Sequence, residues 1–126
     1  MNVKQRCVLY VFDGLMEEQA DDPAVMPRLA AFRRKSARMR QHRPIFPSVT
    51  RGNSASIATG CFPGTHGFHA NMLLLSDLDM DKPTEANQKS LARLHDTAGQ
   101  AMLAPTLGQM LAPHGLQYWG LGSWTN

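Results

Sequence analysis

Three polar side chains that suit metal or phosphate chemistry lie where the chain is predicted to turn: Asp13, Thr50 and Asn71. Asp13 follows an apolar run, and a carboxylate at the carboxyl end of a parallel strand is well placed to bind a cation. Thr50 is predicted at the start of a helix, where N–H groups and the helix dipole favour a phosphate and a developing alkoxide. The Asn71 amide could donate to a phosphoryl oxygen. Each alone has a simpler interpretation as a turn or cap residue.

The elements that would position these residues alternate between strands and helices. Residues 7–12 are continuously apolar, which is typical of a buried parallel strand, and Asp13-Gly14 marks a turn at its end. Apolar spacing predicts an amphipathic helix over residues 26–36, with Pro27 in its first turn. Residues 38–46 are a plausible edge strand, and helix formers then extend to Thr59, where Gly60 supplies a stop.

The second half of the chain has weaker patterns. We expect a loop at 62–71, a short strand or core contact at 73–75, polar irregular structure at 77–84, weak helix at 85–102, a helix at 104–111 and a strand at 116–121. This order predicts an α/β fold, the N-terminal part of a doubly wound, mostly parallel sheet flanked by helices. A further helix would normally follow, so we expect residues 1–126 to form one incomplete domain. Its open sheet edge could support self-association.

Composition excludes several other classes of protein. A chain of 126 residues suffices for one domain, and it lacks an apolar run that could span a membrane. The apolar stretch after the basic start is too short for a secretory signal, which predicts a cytoplasmic protein with Cys7 and Cys61 reduced. The net charge of +3 is modest, and positive charge concentrates in residues 28–43. Without interleaved aromatic residues, we interpret that stretch as a solvated helix face and expect no nucleic-acid partner.

One long segment and three short ones together match a known pattern. The long segment is FPSVTRGNSASIATGCFPGTHGFHAN at 46–71, and the short ones are VLYVFDGL at 8–15, MPRL at 26–29 and APTL at 104–107. They resemble the alkaline phosphatase superfamily, in particular the type I nucleotide pyrophosphatase/phosphodiesterase family. The long segment resembles that family's nucleophile segment and is the specific match, whereas the short segments are weak individually.

The resemblance implies an alkaline phosphatase-like fold and a role for each matching residue. By position, Asp13 is implied as a zinc ligand, Thr50 as the nucleophile that also contacts metal, and Asn71 as the amide that contacts the transferred phosphoryl group. Two divalent metal ions, with zinc as the expected metal, would lower the nucleophile's pKa. The implied activity is hydrolysis of a small phosphate ester through a threonine phosphoenzyme.

Two departures from the family pattern leave alternatives open. Arg51 and Gly52 stand where many members carry an aromatic residue and a proline. Arg51 could bind a second phosphate or a carboxylate of the substrate, so phosphonate cleavage of the phosphonoacetate type and a phosphomutase reaction are alternatives to ester hydrolysis.

The second departure concerns the remaining metal ligands, which in the family lie further along the chain. The late residues His95, Asp96 and His114 do not reproduce those motifs. We interpret His66 and His69 as structural residues or as residues that support a metal ligand, rather than as ligands themselves. We therefore expect the isolated chain to bind metal weakly and to be inactive. A truncated, non-catalytic chain is the third alternative.

Overall fold

A computed structural model describes residues 6–122, and the sequence features at 1–5 and 123–126 lie outside the described part. The chain divides into two compact units, Met1–His42 and Arg43–Asn126. Within residues 6–122, every helix is too short or too polar to cross a membrane.

The first unit contains two short helices. Helix α1 spans Glu17–Asp21 and helix α2 spans Pro27–Arg34, with Pro27 in the first turn, where a missing N–H costs nothing. Helix α2 confirms the predicted helix but is shorter at both ends, whereas α1 had not been predicted. Among residues 6–42, the buried apolar side chains are those of two alanines, Ala20 and Ala30.

Charged side chains connect these two helices. The Arg33 Nε atom lies 2.7 Å from Asp21 Oδ1, and Arg38 Nη2 lies 2.6 Å from Glu17 Oε1 and 2.7 Å from Asp21 Oδ2. The hydrogen bond from Arg33 is the main reason that the pKa of Asp21 is lowered. Two cations of the basic stretch are therefore compensated by carboxylates of their own unit.

Residues 7–12 do not form the predicted buried strand. They have no strand pairing to any described residue, and their side chains are exposed, with 54% exposure at Phe12 and 77% at Tyr10. A parallel strand of this composition needs neighbouring strands on its edges and a covering layer on each face, and the described chain supplies neither. The strands predicted at 38–46 and 116–121 are likewise wrong. Pro44 would remove a donor from the first of them.

The sheet found in the second unit is a hairpin. Strand β1, Met72–Leu75, pairs antiparallel with strand β2, Asp79–Glu85, and the register is irregular between Leu73 and Leu75. Strand β1 confirms the short strand predicted at 73–75, but β2 replaces a stretch predicted to be irregular. The α/β class is thus confirmed. The doubly wound parallel sheet is not present among the described residues.

Four helices accompany this hairpin. Their bounds are Thr50–Thr59 for α3, Pro63–His66 for α4, Gln88–Ala98 for α5 and Leu107–Leu111 for α6, with a 3₁₀ turn at Ala112–His114. Helix α3 ends as predicted at Gly60, whose φ of +68° lies in the left-handed region that glycine tolerates best. Helix α5 lies within the predicted weak helix, α6 is shorter than predicted, and α4 replaces part of a predicted loop.

The core of the second unit lies between α3, the hairpin and α5. Its buried members are Phe68, Leu73 and Leu94 together with Ala55 and Ala86. Because Ala55 belongs to α3 and Ala86 follows β2, the same core fixes the helix and the strand that carry the candidate site.

Candidate active site

Thr50 is the first residue of α3. The N-cap position belongs to Val49, which is extended and makes no side-chain capping hydrogen bond. The simpler interpretation of Thr50 as a side-chain N-cap is therefore wrong. Its side chain is exposed at the positive end of a ten-residue helix dipole. This placement suits a hydroxyl that meets an anionic group.

The chain that leads into α3 is held by Asn53, which sequence reasoning missed. The Ile45 N–H donates to Asn53 Oδ1 at 3.1 Å, and Asn53 Nδ2 donates to the Val49 carbonyl at 2.9 Å. Both ends of the approach segment 45–49 are thereby tied to the first turn of the helix.

Gly52 allows this approach segment to pack closely on the helix. A Cβ at this position would lie 2.5 Å from Ile45 Cδ1 and 3.4 Å from the Phe68 carbonyl oxygen. A residue with a Cβ at this position would therefore require the end of the Ile45 side chain to move, while the Phe68 carbonyl would stay in ordinary contact.

Arg51 and Asn71, two of the predicted site residues, are brought together. The Arg51 backbone N–H donates to Asn71 Oδ1 at 3.3 Å, and Arg51 Nη1 donates to the Asn71 carbonyl at 3.4 Å. Because Oδ1 accepts from an N–H, the NH₂ branch of the Asn71 carboxamide is the one that can donate to a phosphoryl oxygen. Thr50 is the chain neighbour of Arg51, so three predicted residues lie in one part of this unit.

Glu85, at the end of β2, is a fourth member of this group and was not predicted. Its Oε1 atom lies 2.6 Å from Arg51 Nη1, and its Oε2 accepts from Asn87 Nδ2 at 3.2 Å. These two donors, Arg51 first, hold the pKa of Glu85 below its ordinary value of 4.5. The polar stretch around Glu85 has no strand-like alternation, so sequence alone offered no signal for this contact.

His66 is fully buried and has partners on both ring nitrogens. The Phe68 N–H donates to Nδ1 at 3.1 Å, so Nε2 must carry the proton that it shares with Ser56 Oγ at 2.8 Å. Burial lowers the pKa of His66 and favours this neutral tautomer. His66 therefore joins α4 to α3 and is structural, as predicted.

Asp13 belongs to the other unit, Met1–His42. Its side chain is exposed, and it precedes Gly14, whose φ of +70° forms the turn predicted at Asp13-Gly14. The group formed by Thr50, Arg51 and Asn71 lies in the Arg43–Asn126 unit.

The described residues do not by themselves form a two-metal centre. Across residues 6–122, no three His, Cys, Asp or Glu side chains come together as a set of metal ligands. One carboxylate and one hydroxyl, from Asp13 and Thr50, are too few donors for two zinc ions, which each prefer four-coordinate sites. Both cysteines are free thiols.

This α/β chain therefore brings a helix-start hydroxyl, an amide and a guanidinium into one polar group, and each of these groups can donate a hydrogen bond to an anion. Residues 7–111 match the model of the family described as type I phosphodiesterase / nucleotide pyrophosphatase. The chain belongs to this family. Comparison with curated proteins gave no match, and comparison with solved structures gave none either.

Proposed function

We propose that this chain contributes the nucleophile segment of a metal-dependent phosphate-ester hydrolase that acts through a threonine phosphoenzyme. Membership of a phosphodiesterase family supports hydrolysis of phosphodiesters in general. The observation that carries the finer proposal is the placement of Thr50 at the start of α3, next to the contact between Arg51 and Asn71. The Thr50 hydroxyl would be the nucleophile, and the neighbouring side chains of Arg51 and Asn71 would donate to phosphoryl oxygens.

The reaction would proceed in two displacements. Thr50 Oγ1 loses its proton to solvent and attacks phosphorus, the Oγ1–P bond forms, and the P–O bond to the ester's alcohol breaks, with the departing oxygen taking a proton from solvent. Water then attacks phosphorus and releases the phosphate product together with the free Thr50 hydroxyl. The Asn71 NH₂ group and the Arg51 guanidinium would donate to phosphoryl oxygens, while the α3 dipole favours the added negative charge.

Divalent ions, with zinc as our expectation, would supply activation of the nucleophile and charge neutralisation when bound. Asp13 and Thr50 are the ligands that we propose from this chain. The described residues do not complete a two-metal centre around these two ligands.

We also propose that residues 1–126 form part of a larger alkaline phosphatase-like α/β domain. The exposed segment 7–12 supports this proposal, because a run that is apolar on both faces suits the interior of a covered parallel sheet. The same surface would support self-association. The cytoplasmic location and the absence of nucleic-acid and membrane partners stay predictions.

Arg51 supports a second candidate function, in which the substrate carries an additional anionic group. The reaction would then be cleavage of a phosphonoacetate-like compound or a phosphomutase rearrangement. A guanidinium next to Asn71 could bind that group. However, Glu85 already compensates the charge of Arg51, so we place the phosphate diester first.

The test is zinc-dependent hydrolysis of bis(p-nitrophenyl) phosphate by the natural full-length protein. Thr50→Ala should lower kcat/KM on the order of 10⁴-fold, because a covalent nucleophile is removed. Thr97→Ala, which changes an exposed threonine of α5, should leave it unchanged. Equal turnover in Thr50→Ala and wild type would sink the nucleophile assignment. A wild-type protein inactive with zinc would favour the non-catalytic alternative, and the 126-residue chain by itself is expected to be inactive.

A further inference from the structure

Two segments of the second unit, the chain just before β1 and the end of β2, meet at the Arg51 side chain. Glu85 ends β2, and its Cα pairs in the hairpin with Met72, the residue that follows Asn71. The Ala86 N–H donates to the Asn71 carbonyl at 2.9 Å. The hairpin backbone therefore brings the Asn71 carbonyl and the Glu85 carboxylate to the same side of Arg51.

The guanidinium is anchored at one of its nitrogens. Nη1 contacts both Glu85 Oε1, at 2.6 Å, and the Asn71 carbonyl, at 3.4 Å. A guanidinium has five N–H donors in a rigid planar fork, so fixing Nη1 also fixes the directions of the Nε and Nη2 donors. Anchoring of this kind reduces the side-chain freedom that would otherwise be lost when a substrate oxygen is bound.

The same contact changes the charge of the site. The Glu85 carboxylate is ionised at neutral pH, as any carboxyl near its ordinary pKa is, and the hydrogen bonds from Arg51 and Asn87 lower its pKa further. Arg51 and Glu85 together carry no net charge. They therefore offer N–H donors to a phosphoryl group without the net attraction that an unpaired arginine would give to each additional negative charge.

We propose that Glu85 is a positioning residue that anchors Arg51 beside Asn71 and biases the site toward singly charged phosphate diesters over doubly charged monoesters. The substrate bias rests on the proposed hydrolase function. The anchoring does not, since it concerns only the contacts among these three residues.

Two substitutions separate charge from anchoring. Glu85→Gln keeps an oxygen that can accept from Arg51 but removes the negative charge, whereas Glu85→Ala removes both. The matched control is Asp81→Asn, which removes one negative charge from the same strand. Asp81 lies four residues away, about 13 Å along the strand, which exceeds the Debye length of about 8 Å at physiological ionic strength.

The kinetic readout is the ratio of kcat/KM for bis(p-nitrophenyl) phosphate to that for p-nitrophenyl phosphate, measured with zinc in the natural full-length protein. Glu85→Gln should lower this ratio roughly three- to tenfold, the size of one partly screened charge interaction. Most of this change should be a lower KM for the monoester, because the removed negative charge no longer opposes its second charge. Asp81→Asn should leave the ratio unchanged. A purely structural role of Glu85 would lower both activities together and would not move the ratio.

The anchoring readout is the NMR signal of the Arg51 Nε–H group and of the Asn71 side-chain amide. Both should shift in Glu85→Ala and stay in place in Asp81→Asn. Unshifted signals in Glu85→Ala would overturn the anchoring. An active wild type with an unchanged ratio in Glu85→Gln would overturn the substrate bias alone. A wild type that hydrolyses neither ester would overturn the proposed function and the bias with it, while the NMR result would still decide the anchoring.

Discussion

In the Met1–His42 unit, α1 and α2 bury only alanine side chains and are connected by partly exposed guanidinium–carboxylate pairs. The Arg43–Asn126 unit instead buries an apolar cluster that includes Phe68, Leu73 and Leu94. Burial of apolar area contributes most of the stability of a fold, whereas exposed ion pairs contribute little. Thr50, Arg51 and Asn71 are therefore fixed by a core within their own unit. Asp13 belongs to a unit whose described residues provide much less apolar burial.

The largest expected effect is truncation of the core of the second unit. Phe68→Ala should lower the free energy of unfolding by about 3–5 kcal/mol, because a 95% buried aromatic ring is lost and a cavity is left behind. Phe12→Ala, at a ring that is 54% exposed in the first unit, should cost less than about 1 kcal/mol. Urea denaturation followed by circular dichroism measures both. Equal losses in the two variants would contradict the contrast between the units.

An intermediate effect is expected from lowering the pH, which should reduce the free energy of unfolding of the second unit because His66 is buried there. Its pKa is lowered by burial from the ordinary value of 6.5, so the unfolded chain binds a proton more readily than the folded chain. This contribution to stability is complete above about pH 6.5 and is lost as the pH falls toward the lowered pKa, by up to about 1.4 kcal/mol per pH unit.

Urea denaturation at roughly pH 7.5 and roughly pH 5.5 tests this expectation and should give a loss on the order of 1 kcal/mol in the wild type. The variant His66→Gln should lose this part of the pH dependence, whereas His69→Gln, at an exposed histidine, should keep it. The same pH dependence in His66→Gln and wild type would show that another group is responsible.

The smallest expected effect is removal of an ion pair in the first unit. Arg33→Gln should lower stability slightly at low salt, since Asp21 and Glu17 lose one of their two guanidinium partners. The difference from wild type should disappear in roughly 1 M NaCl, where the Debye length is about 3 Å. The effect of Phe68→Ala should persist in the same salt. A loss of stability in Arg33→Gln that does not depend on salt would indicate that the apolar part of the Arg33 side chain stabilises the unit by packing.

The parts of the fold that could be predicted are those specified by neighbouring residues. Helix α3 follows from its helix formers and the stop at Gly60, and α2 follows from apolar spacing after Pro27. Strand β2 was missed because its sequence, DMDKPTE, has no apolar alternation. It forms through pairing with β1, which no local pattern records. Residues 7–12 were assigned to a strand by composition alone, yet a strand also requires neighbours.

In the candidate site, too, features specified by neighbouring residues could be predicted, and contacts between distant residues could not. The position of Thr50 at a helix start is a local property and was predicted correctly. The contact between Arg51 and Asn71 joins residues 20 apart in the chain, and Glu85 reaches Arg51 only because the hairpin folds back. Such contacts depend on the folded arrangement. The roles of Asp13 and of two metal ions stay predictions.

The hairpin register has a consequence for the contact between Glu85 and Arg51. Glu85 lies opposite Met72, and a slip of one residue between the strands would bring Thr84 or Ala86 to that position instead. A neutral side chain would then stand where the carboxylate is. A one-residue slip in the pairing of Met72 with Glu85 would therefore remove the carboxylate that contacts Arg51, while the segment around Thr50 stays the same.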